Sequence, residues 1–586
     1  MTCSSNTPSP PERRWRSVLG AAALLLAAIV PAQADTGPVD RALADARAAL
    51  MAGDGIAAQA RLRQARAAGA GDDAVRALMG EALLAQDDLA KAREWLAPAR
   101  FSASTRALGY RMLGRLELRD RRLPEAGAAF DRALAAAPDD ARLWTDIARL
   151  RYTGGEQAQA IQAAQRALEY GPDEPAALAF RGLLIRNQHG LAAALPWFDA
   201  AQRRAPRDAG IRTDKAATLA DMGRYAEALS EIRAVHKTSP GDPRILYLQA
   251  VIAARAGQRP LARKLLQRGK GKLRDVPGAM LLTAALELDA GNVNLAVELS
   301  DRLLRTQPDN TLAQHILARA MARSGDPGAV IARFAPLARR ADASPYLLTL
   351  VARSYEELDR RREAIALLER AAAPPAPSLH PLPAGADLPV LASRYPDAPR
   401  QAREAVPYIR ALLGLGDTAA AAATARRLLV GNLGAPDAYM IAGDTELARN
   451  RPAAALALYQ TAASIRFGES ELLRLDRTLK AAGCGRDADL LVFAYAVENP
   501  QSLTAARLLA NIRARGGQWG QSAALLGWIG VRSGGRDPGL LADLAFARLR
   551  QGRTVEARKL ANHAASLQPA SPSARQIVRL SHMAPH

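Results

Sequence analysis

Residues 107–140 read ALGYRMLGRLELRDRRLPEAGAAFDRALAAAPDD, and the next 34 residues repeat the same order of small residues, turn residues and proline. Prolines recur at this interval at Pro138, Pro172, Pro206 and Pro240. With Ala107 as position 1 of the unit, the phase continues without a gap to about residue 378. A fixed period of this length predicts an array of similar units, each packed against its neighbours.

Two positions of the unit are small in all eight consecutive copies. Position 8 is occupied by Gly114, Ala148, Gly182, Ala216, Ala250, Ala284, Ala318 and Ala352. Position 20 is occupied by Ala126, Ala160, Ala194, Ala228, Ala262, Ala296, Val330 and Ala364. Two helices approach closely only where the facing side chains are small. The pattern therefore predicts helix–turn–helix units whose two helices cross at these positions.

The clearest unit resembles the tetratricopeptide repeat family through Leu113-Gly114, Pro124-Glu125-Ala126, Phe130, Ala133 and Pro138. The next unit is similar, with Trp144, Ala160, Ala167 and Pro172. The resemblance implies an all-α, right-handed superhelical solenoid, and we expect about 14 helix–turn–helix repeats with an irregular Pro-rich break. It also implies that the first helices of the units line a concave groove that receives a partner.

The repeat register divides the chain into six parts. These are a signal peptide (1–34), degenerate repeat-like units (35–106), the regular array (107–373), a Pro-rich insertion or hinge (374–399), a second repeat-like array (400–571), and a capping helix with a tail (572–586). In the capping helix we expect Ile577, Val578 and Leu580 to face inward, since the last unit of a solenoid needs a cover.

The N-terminus has the order of a secretory signal peptide. Residues 13–16 carry three arginines, residues 18–30 form an uncharged apolar run, and residues 32–34 read Ala-Gln-Ala. This order predicts cleavage after Ala34 and an exported protein, periplasmic in a Gram-negative cell. The alternatives are an uncleaved anchor and a first solenoid helix.

The chain is strongly basic, with 79 Lys and Arg against 58 Asp and Glu and a formal net charge of +21. Such an excess favours anionic partners such as acidic protein segments, polysaccharide or lipid head groups. An Arg-rich codon bias would produce the same composition, so both interpretations stay open.

No catalytic, metal-binding or cofactor-binding motif stands out. None of the seven histidines has the spacing of a zinc site, and there is no nucleophile elbow, phosphate-binding loop or dinucleotide fingerprint. We therefore predict a protein that is not an enzyme and uses no cofactor.

The resemblance implies that positions 2, 5, 9 and 12–13 of each first helix point into the groove. In this sequence the candidate partner-binding residues are Arg111, Arg115, Arg119, Arg142, Arg149, Tyr152, Arg186, Arg244, Tyr247 and Arg255. Arginine binds carboxylates in a bidentate manner and tyrosine stacks, so such a groove suits an acidic peptide or an anionic glycan. The alternative is an ordinary solvated basic face.

A second candidate is the basic run between residues 259 and 274, which contains no acidic side chain. Its members are Arg259, Arg263, Lys264, Arg268, Lys270, Lys272 and Arg274. Arg274 replaces the usual proline and Gly269 falls inside the expected second helix, so this unit departs from its neighbours where it is most basic. The basic run predicts an anion-binding edge; the alternative is a solvated helix back.

Three functions are compatible with the sequence. The first is a non-catalytic protein–protein interaction scaffold of the cell envelope that supports export or assembly of a polysaccharide, protein or pilus. The second is a binding module for an anionic glycan or lipid. The third is a cytoplasmic adaptor, which requires the predicted signal peptide to be wrong; a nucleic-acid partner fits the sequence least well.

Overall fold

The computed structural model describes residues 37–586 apart from residues 239–241, 309, 341–342, 373–387, 396–400 and 584–586. Within these residues the chain forms helices and turns and no β-strand, so the predicted all-α class is confirmed. None of the helices in this part of the chain has the length and apolar character needed to cross a membrane. The predicted signal peptide lies outside the described residues.

The chain divides into two compact units, residues 1–154 and 155–586. In the first unit, successive helices pack against each other, and a short 3₁₀ turn lies at Ala103–Thr105. Its helices are α1 (Pro38–Met51), α2 (Gly55–Ala67), α3 (Asp72–Ala85), α4 (Leu89–Leu96), α5 (Arg106–Arg119), α6 (Leu123–Ala136) and α7 (Ala141–Thr153).

The second unit continues the same alternation of helices and tight turns. Up to the Pro-rich stretch its helices are α8 (Gln157–Tyr170), α9 (Pro175–Gln188), α10 (Leu191–Arg204), α11 (Ala209–Asp221), α12 (Tyr225–Thr238), α13 (Pro243–Arg255), α14 (Arg259–Arg268), α15 (Lys270–Leu273), α16 (Pro277–Asp289), α17 (Val293–Thr306), α18 (Thr311–Arg323), α19 (Pro327–Arg339), α20 (Pro345–Glu357) and α21 (Arg361–Ala372). From there to the end they are α22 (Leu388–Arg394), α23 (Ala402–Gly414), α24 (Thr418–Gly431), α25 (Pro436–Ala448), α26 (Pro452–Ile465), α27 (Glu469–Ala481), α28 (Gly485–Glu498), α29 (Leu503–Arg515), α30 (Trp519–Ser533), α31 (Pro538–Arg550), α32 (Thr554–Leu567) and α33 (Pro572–Met583).

The small positions of the sequence repeat are the contact points between paired helices. All sixteen residues at positions 8 and 20 of the eight regular units are buried. Where position 8 is glycine, an aromatic ring occupies the space that a side chain would take. A Cβ on Gly114 would lie 2.4 Å from the ring of Phe130, and one on Gly443 would lie 2.4 Å from the ring of Tyr459. The predicted crossing points are therefore confirmed, and the second array shows the same pairing of a glycine with an aromatic ring.

The first helix of a unit usually begins at a capping side chain two residues after the position of the periodic proline. Asp208, Asn310 and Ser344 accept hydrogen bonds from backbone N–H groups three residues later, at 2.9, 3.0 and 3.2 Å. These bonds satisfy N–H groups that have no partner inside the helix. The unit after the basic run is an exception, because Val276 stands at this position and supplies no side-chain cap.

The second unit folds back on itself, so that turns far apart in sequence meet. Three hydrogen bonds make this contact, which we call the clasp: Phe467 N–H to the Asn187 carbonyl (2.8 Å), the Gln188 side chain to the Ser464 carbonyl (3.0 Å), and Ala193 N–H to the Glu498 carboxylate (2.8 Å). The last two bonds join residues 276 and 305 positions apart. The clasp therefore joins the regular array to the second array.

A glycine permits the clasp. Gly190 has a φ of 109°, a backbone conformation that side-chain-bearing residues rarely adopt. A Cβ at this position would lie 2.5 Å from the Cβ of Glu498 and 3.0 Å from the side-chain nitrogen of Asn499. The absence of a side chain lets the two turns approach at this point.

The end of the chain forms the expected capping helix, α33, with one difference in its buried face. Ala574, Ile577 and Ser581 are buried, and Val578 packs beside them. Leu580 was expected to face inward but is 38% exposed. Residues spaced by three and four share one helix face, and Leu580 lies next to that face rather than on it.

Candidate partner-binding surface

Helices α5 and α7 place three of the predicted arginines around one carboxylate, Asp146, which is only 3% exposed. The Nε atom of Arg111 lies 2.9 Å from an Asp146 oxygen, and Nη1 of Arg149 lies 3.3 Å from the other. The Nε atom of Arg115 is 3.9 Å away. Asp140 adds a second carboxylate, 3.7 Å from Arg111. Arg111 and Arg115 of α5 and Arg149 of α7 thus surround one acid of α7, Asp146.

The guanidinium groups of this cluster lie close enough together to influence one another's pKa. Asp146 raises the pKa of the Arg115 guanidinium. Burial and the positive charges of Arg111, Arg149 and Arg119 together lower it by more, so the pKa of Arg115 lies below its ordinary value. A guanidinium group whose pKa is lowered in this way is stabilised in its charged form by an additional anion nearby. The cluster can therefore accept a carboxylate or a phosphate from outside the chain.

Other predicted groove residues of the first unit have different surroundings. Nη1 of Arg119 donates to the Leu84 carbonyl at 3.0 Å and to the Asp87 carboxylate at 2.9 Å, both at the end of α3. The last carbonyls of a helix have no partner inside it and carry partial negative charge, which favours such a cation. Arg142 is exposed in the first turn of α7, and Tyr152 is 37% exposed near its end.

In the second unit, two predicted arginines converge on Asp221 at the end of α11. Arg186 from α9 donates to Asp221 and to the Thr218 hydroxyl. Arg255 from α13 donates to the Ala220 carbonyl at 3.1 Å and to Asp221 at 3.0 Å. These arginines join three successive first helices.

The remaining predicted groove residues are engaged locally. Arg244 forms an ion pair with Asp242 at 2.9 Å. The hydroxyl of Tyr247 packs over Gly278, where a Cβ would approach it within 2.5 Å, and burial raises the pKa of this phenol.

Sequence reasoning missed Asp146 and Asp221, the acids that organise the arginines. Asp146 shares α7 with Arg149, which was an available signal, whereas Asp221 lies on α11, between the helices that carry Arg186 and Arg255.

The basic run lies where the second helix of its unit is interrupted. Helix α14 ends at Arg268, Gly269 forms the break, and the short α15 follows. Two members are paired, since Arg259 lies 3.5 Å from Asp289 and Arg263 lies 3.0 Å from the buried Glu287.

Most of the remaining members of the basic run reach solvent. Lys264, Arg268, Lys272 and Arg274 are exposed. Within the described residues, Lys264, Arg268 and Arg274 form no side-chain ion pair. The side chain of Lys270 lies outside the described residues.

No metal site emerges in the part of the chain that the structure describes: no three His, Cys, Asp or Glu side chains are placed to share an ion. The chemistry of the arranged groups is instead that of anion recognition, through guanidinium groups on an extended helical surface.

The family profile described as Tetratricopeptide repeat matches residues 106–141, 145–209, 213–278 and 409–469. These ranges fall on helix pairs of the regular array and of the second array. The chain is a tetratricopeptide repeat protein. No curated protein matches the sequence of this tetratricopeptide repeat protein.

Several solved structures are similar to parts of the chain. PilW, titled a widely conserved type IV pilus biogenesis factor, is 19% identical, over 36% of this chain and 98% of its own, with a TM-score of 0.31. Pseudomonas aeruginosa pilF is 17% identical, over 37% and 98%, with a TM-score of 0.31. YrrB, titled a TPR protein with an unusual peptide-binding site, is 22% identical, over 33% and 95%, with a TM-score of 0.23. At TM-scores of this size, nothing about partner or function follows from these similarities.

Proposed function

We propose that this tetratricopeptide repeat protein is an exported, non-catalytic scaffold of the cell envelope that supports an export or assembly system of a polysaccharide, protein or pilus. Its repeats provide an extended surface of the kind that binds other proteins. The export part of the proposal rests on the order of basic, apolar and small residues in residues 13–34.

The observation that carries the binding part is the arginine cluster around Asp146. Three guanidinium groups share one buried carboxylate there, and the pKa of Arg115 lies below its ordinary value. A partner with an acidic segment would place additional negative charge beside these guanidinium groups. Charge-assisted bonds from arginine to carboxylate are among the stronger hydrogen bonds in proteins, so such a partner gains affinity and orientation.

The proposal is tested by cell fractionation combined with co-purification. We expect the chain in the envelope fraction, with an N-terminus that begins at Asp35 after processing. Proteins cross-linked to the chain in intact cells should co-purify with it and be identified by mass spectrometry. A cytoplasmic chain that retains residues 1–34 would refute the export part, and purification of the chain alone from cross-linked cells would refute the scaffold part.

The exposed members of the basic run favour a second candidate function, binding of an anionic polymer or lipid. Lys264, Arg268 and Arg274 project from one interrupted helix without ion pairs among the described residues. Neighbouring free cations bind polyanions through release of counterions, which makes the interaction dependent on salt.

Charge reversal at Lys264 and Arg268 tests this candidate. The double variant Lys264→Glu/Arg268→Glu should elute from a heparin column at a clearly lower salt concentration than the unaltered chain, because two exposed cations become anions. The control Lys559→Glu/Arg579→Glu changes the net charge equally at exposed positions of α32 and α33. Equal elution of the two double variants would show that net charge, and not the basic run, determines retention.

A further inference from the structure

A cavity of about 750 Å³ opens between the two arrays of the second unit. One wall is formed by three successive first helices, α16, α18 and α20. The opposite wall is formed by the turn between α30 and α31 and by the end of α32. A hydrogen bond from the Gln568 side chain to the Leu368 carbonyl, at 3.5 Å, joins the two arrays nearby. The volume lies within the range of ligand-binding pockets, about 300–1,000 Å³.

The wall of this cavity is largely apolar, although part of it reaches solvent. Leu312 on α18 is 62% exposed and Tyr346 on α20 is 38% exposed, and Leu288, Ile316 and Leu567 continue the surface. Large apolar side chains in a concave surface favour an occupant that removes them from water. The wall therefore suits apolar side chains of a partner.

The charged groups of the cavity leave a positive excess. Both acids in the wall are already paired: Asp289 lies 3.5 Å from Arg259, and Asp537 lies 2.5 Å from Arg507. The two arginines in the wall, Arg319 from α18 and Arg536 from the turn before α31, form no ion pair among the described residues.

The one histidine of the cavity adds no charge at neutral pH. His315 Nε2 lies 2.6 Å from the Ser344 hydroxyl, and its ring packs at 5.0 Å against Tyr346. Burial lowers the pKa of His315 below its ordinary value, which keeps the ring neutral. The positive charge of the site thus comes from Arg319 and Arg536, one on each wall.

We propose that this cavity binds an extended peptide segment in which an apolar side chain stands next to an Asp or Glu. The apolar side chain would cover Leu312 and Tyr346, and the carboxylate would lie between Arg319 and Arg536. Arg536 belongs to the second array, so the site is complete only when both arrays contribute. This inference rests on the proposed scaffold function and names the chemistry of its partner.

The composition of the wall favours a peptide over a polysaccharide. A polysaccharide would leave the exposed Leu312 and Tyr346 without apolar cover. An acyl chain would also cover the apolar wall, so the experiment below includes a fatty acid as a competing ligand. A short peptide provides both an apolar contact and a carboxylate within a few residues.

Selection from a phage-displayed library of random dodecapeptides on the full chain tests the inference. Enriched peptides should carry an apolar residue beside an Asp or Glu. A synthetic copy of such a peptide should bind Arg319→Glu/Arg536→Glu at least about tenfold more weakly, because two charge-assisted contacts become repulsive. The control Arg203→Glu/Arg207→Glu has the same charge change at exposed positions and should keep its affinity within about twofold.

Several results would overturn the inference. These are enriched peptides without acidic residues, unchanged affinity of the double variant, or binding of dodecanoate without any enriched peptide, which would indicate an acyl-chain site. If the Glu variant does not fold, as judged by circular dichroism, Arg319→Gln/Arg536→Gln replaces it with the same expected direction.

The failure of this inference can be told apart from failure of the scaffold proposal. Envelope proteins that co-purify equally with wild type and with Arg319→Glu/Arg536→Glu would leave the scaffold in place and reject this cavity as its binding site. Peptide binding at the cavity without any cross-linked envelope protein would reject the scaffold and retain the site.

Discussion

Replacing Asp146 with alanine should lower the free energy of unfolding of the first unit by about 3–5 kcal/mol, since one buried carboxylate neutralises a group of arginines. Arg111 is 11% exposed at its side chain and lies 2.9 Å from Asp146. Without Asp146, Arg111 keeps the weaker contact with Asp140 at 3.7 Å and the more distant charge of Glu81, while Arg115 and Arg149 stay close by. Removing one partner of a buried pair costs much more than an exposed ion pair contributes, because the other charge stays desolvated.

Thermal unfolding and hydrogen exchange of α5 and α7 measure this effect. Asp131 on α6 is a matched control, because it is an exposed acid of the same unit with no ion pair among the described residues. Asp131→Ala should change stability by less than about 0.5 kcal/mol. Equal stability of the two variants would mean that Asp146 does not hold the arginine cluster together.

Replacing Gly190 with valine should break the clasp and destabilise the second unit by about 2–6 kcal/mol. The φ of 109° alone costs a β-branched residue about 1–3 kcal/mol. Overpacking against Glu498, whose Cβ would lie 2.5 Å from the new Cβ, adds about 1–3 kcal/mol. The two turns must separate to make room, and the hydrogen bond from Ala193 N–H to Glu498 is lost.

Gly257→Val separates the two contributions. Gly257 also has a positive φ, 77°, but a Cβ there would meet nothing within 4 Å. This control carries the backbone strain without the clash. Only Gly190→Val should accelerate hydrogen exchange at Ala193 and at Phe467, the two clasp amides. Fast exchange at these amides in both variants, or in neither, would contradict the assigned role of Gly190.

The repeat architecture could be predicted from sequence because its determinants are local. Gly114 and Phe130, for example, are sixteen residues apart and belong to one helix pair, so a single period shows both the crossing point and the ring that fills it. The left-handed turns between helices follow the same rule, with glycine at Gly223, Gly257 and Gly291.

The candidate site was predictable in outline and not in detail. The arginines of the first helices were found, but their partners depend on the rotation of neighbouring helices. Arg186 and Arg255 meet at Asp221 from opposite sides, a relation that no spacing within one helix reveals. Leu580 was predicted to face inward but is exposed, because the capping helix packs on one side only and that buried face is narrow. Contacts such as the clasp, across 276 and 305 residues, leave no periodic signal.

The clasp has a mechanical consequence for the second unit. An open stack of repeats can be extended with little force, because each unit rotates slightly against the next and these small rotations add up along the stack. Hydrogen bonds between Asn187 and Phe467, and between Ala193 and Glu498, join the regular array to the second array. The repeats between these points then form a closed loop, which resists extension until the hydrogen bonds of the clasp break. A force applied across this loop would rise with little extension at first and fall abruptly when these bonds break.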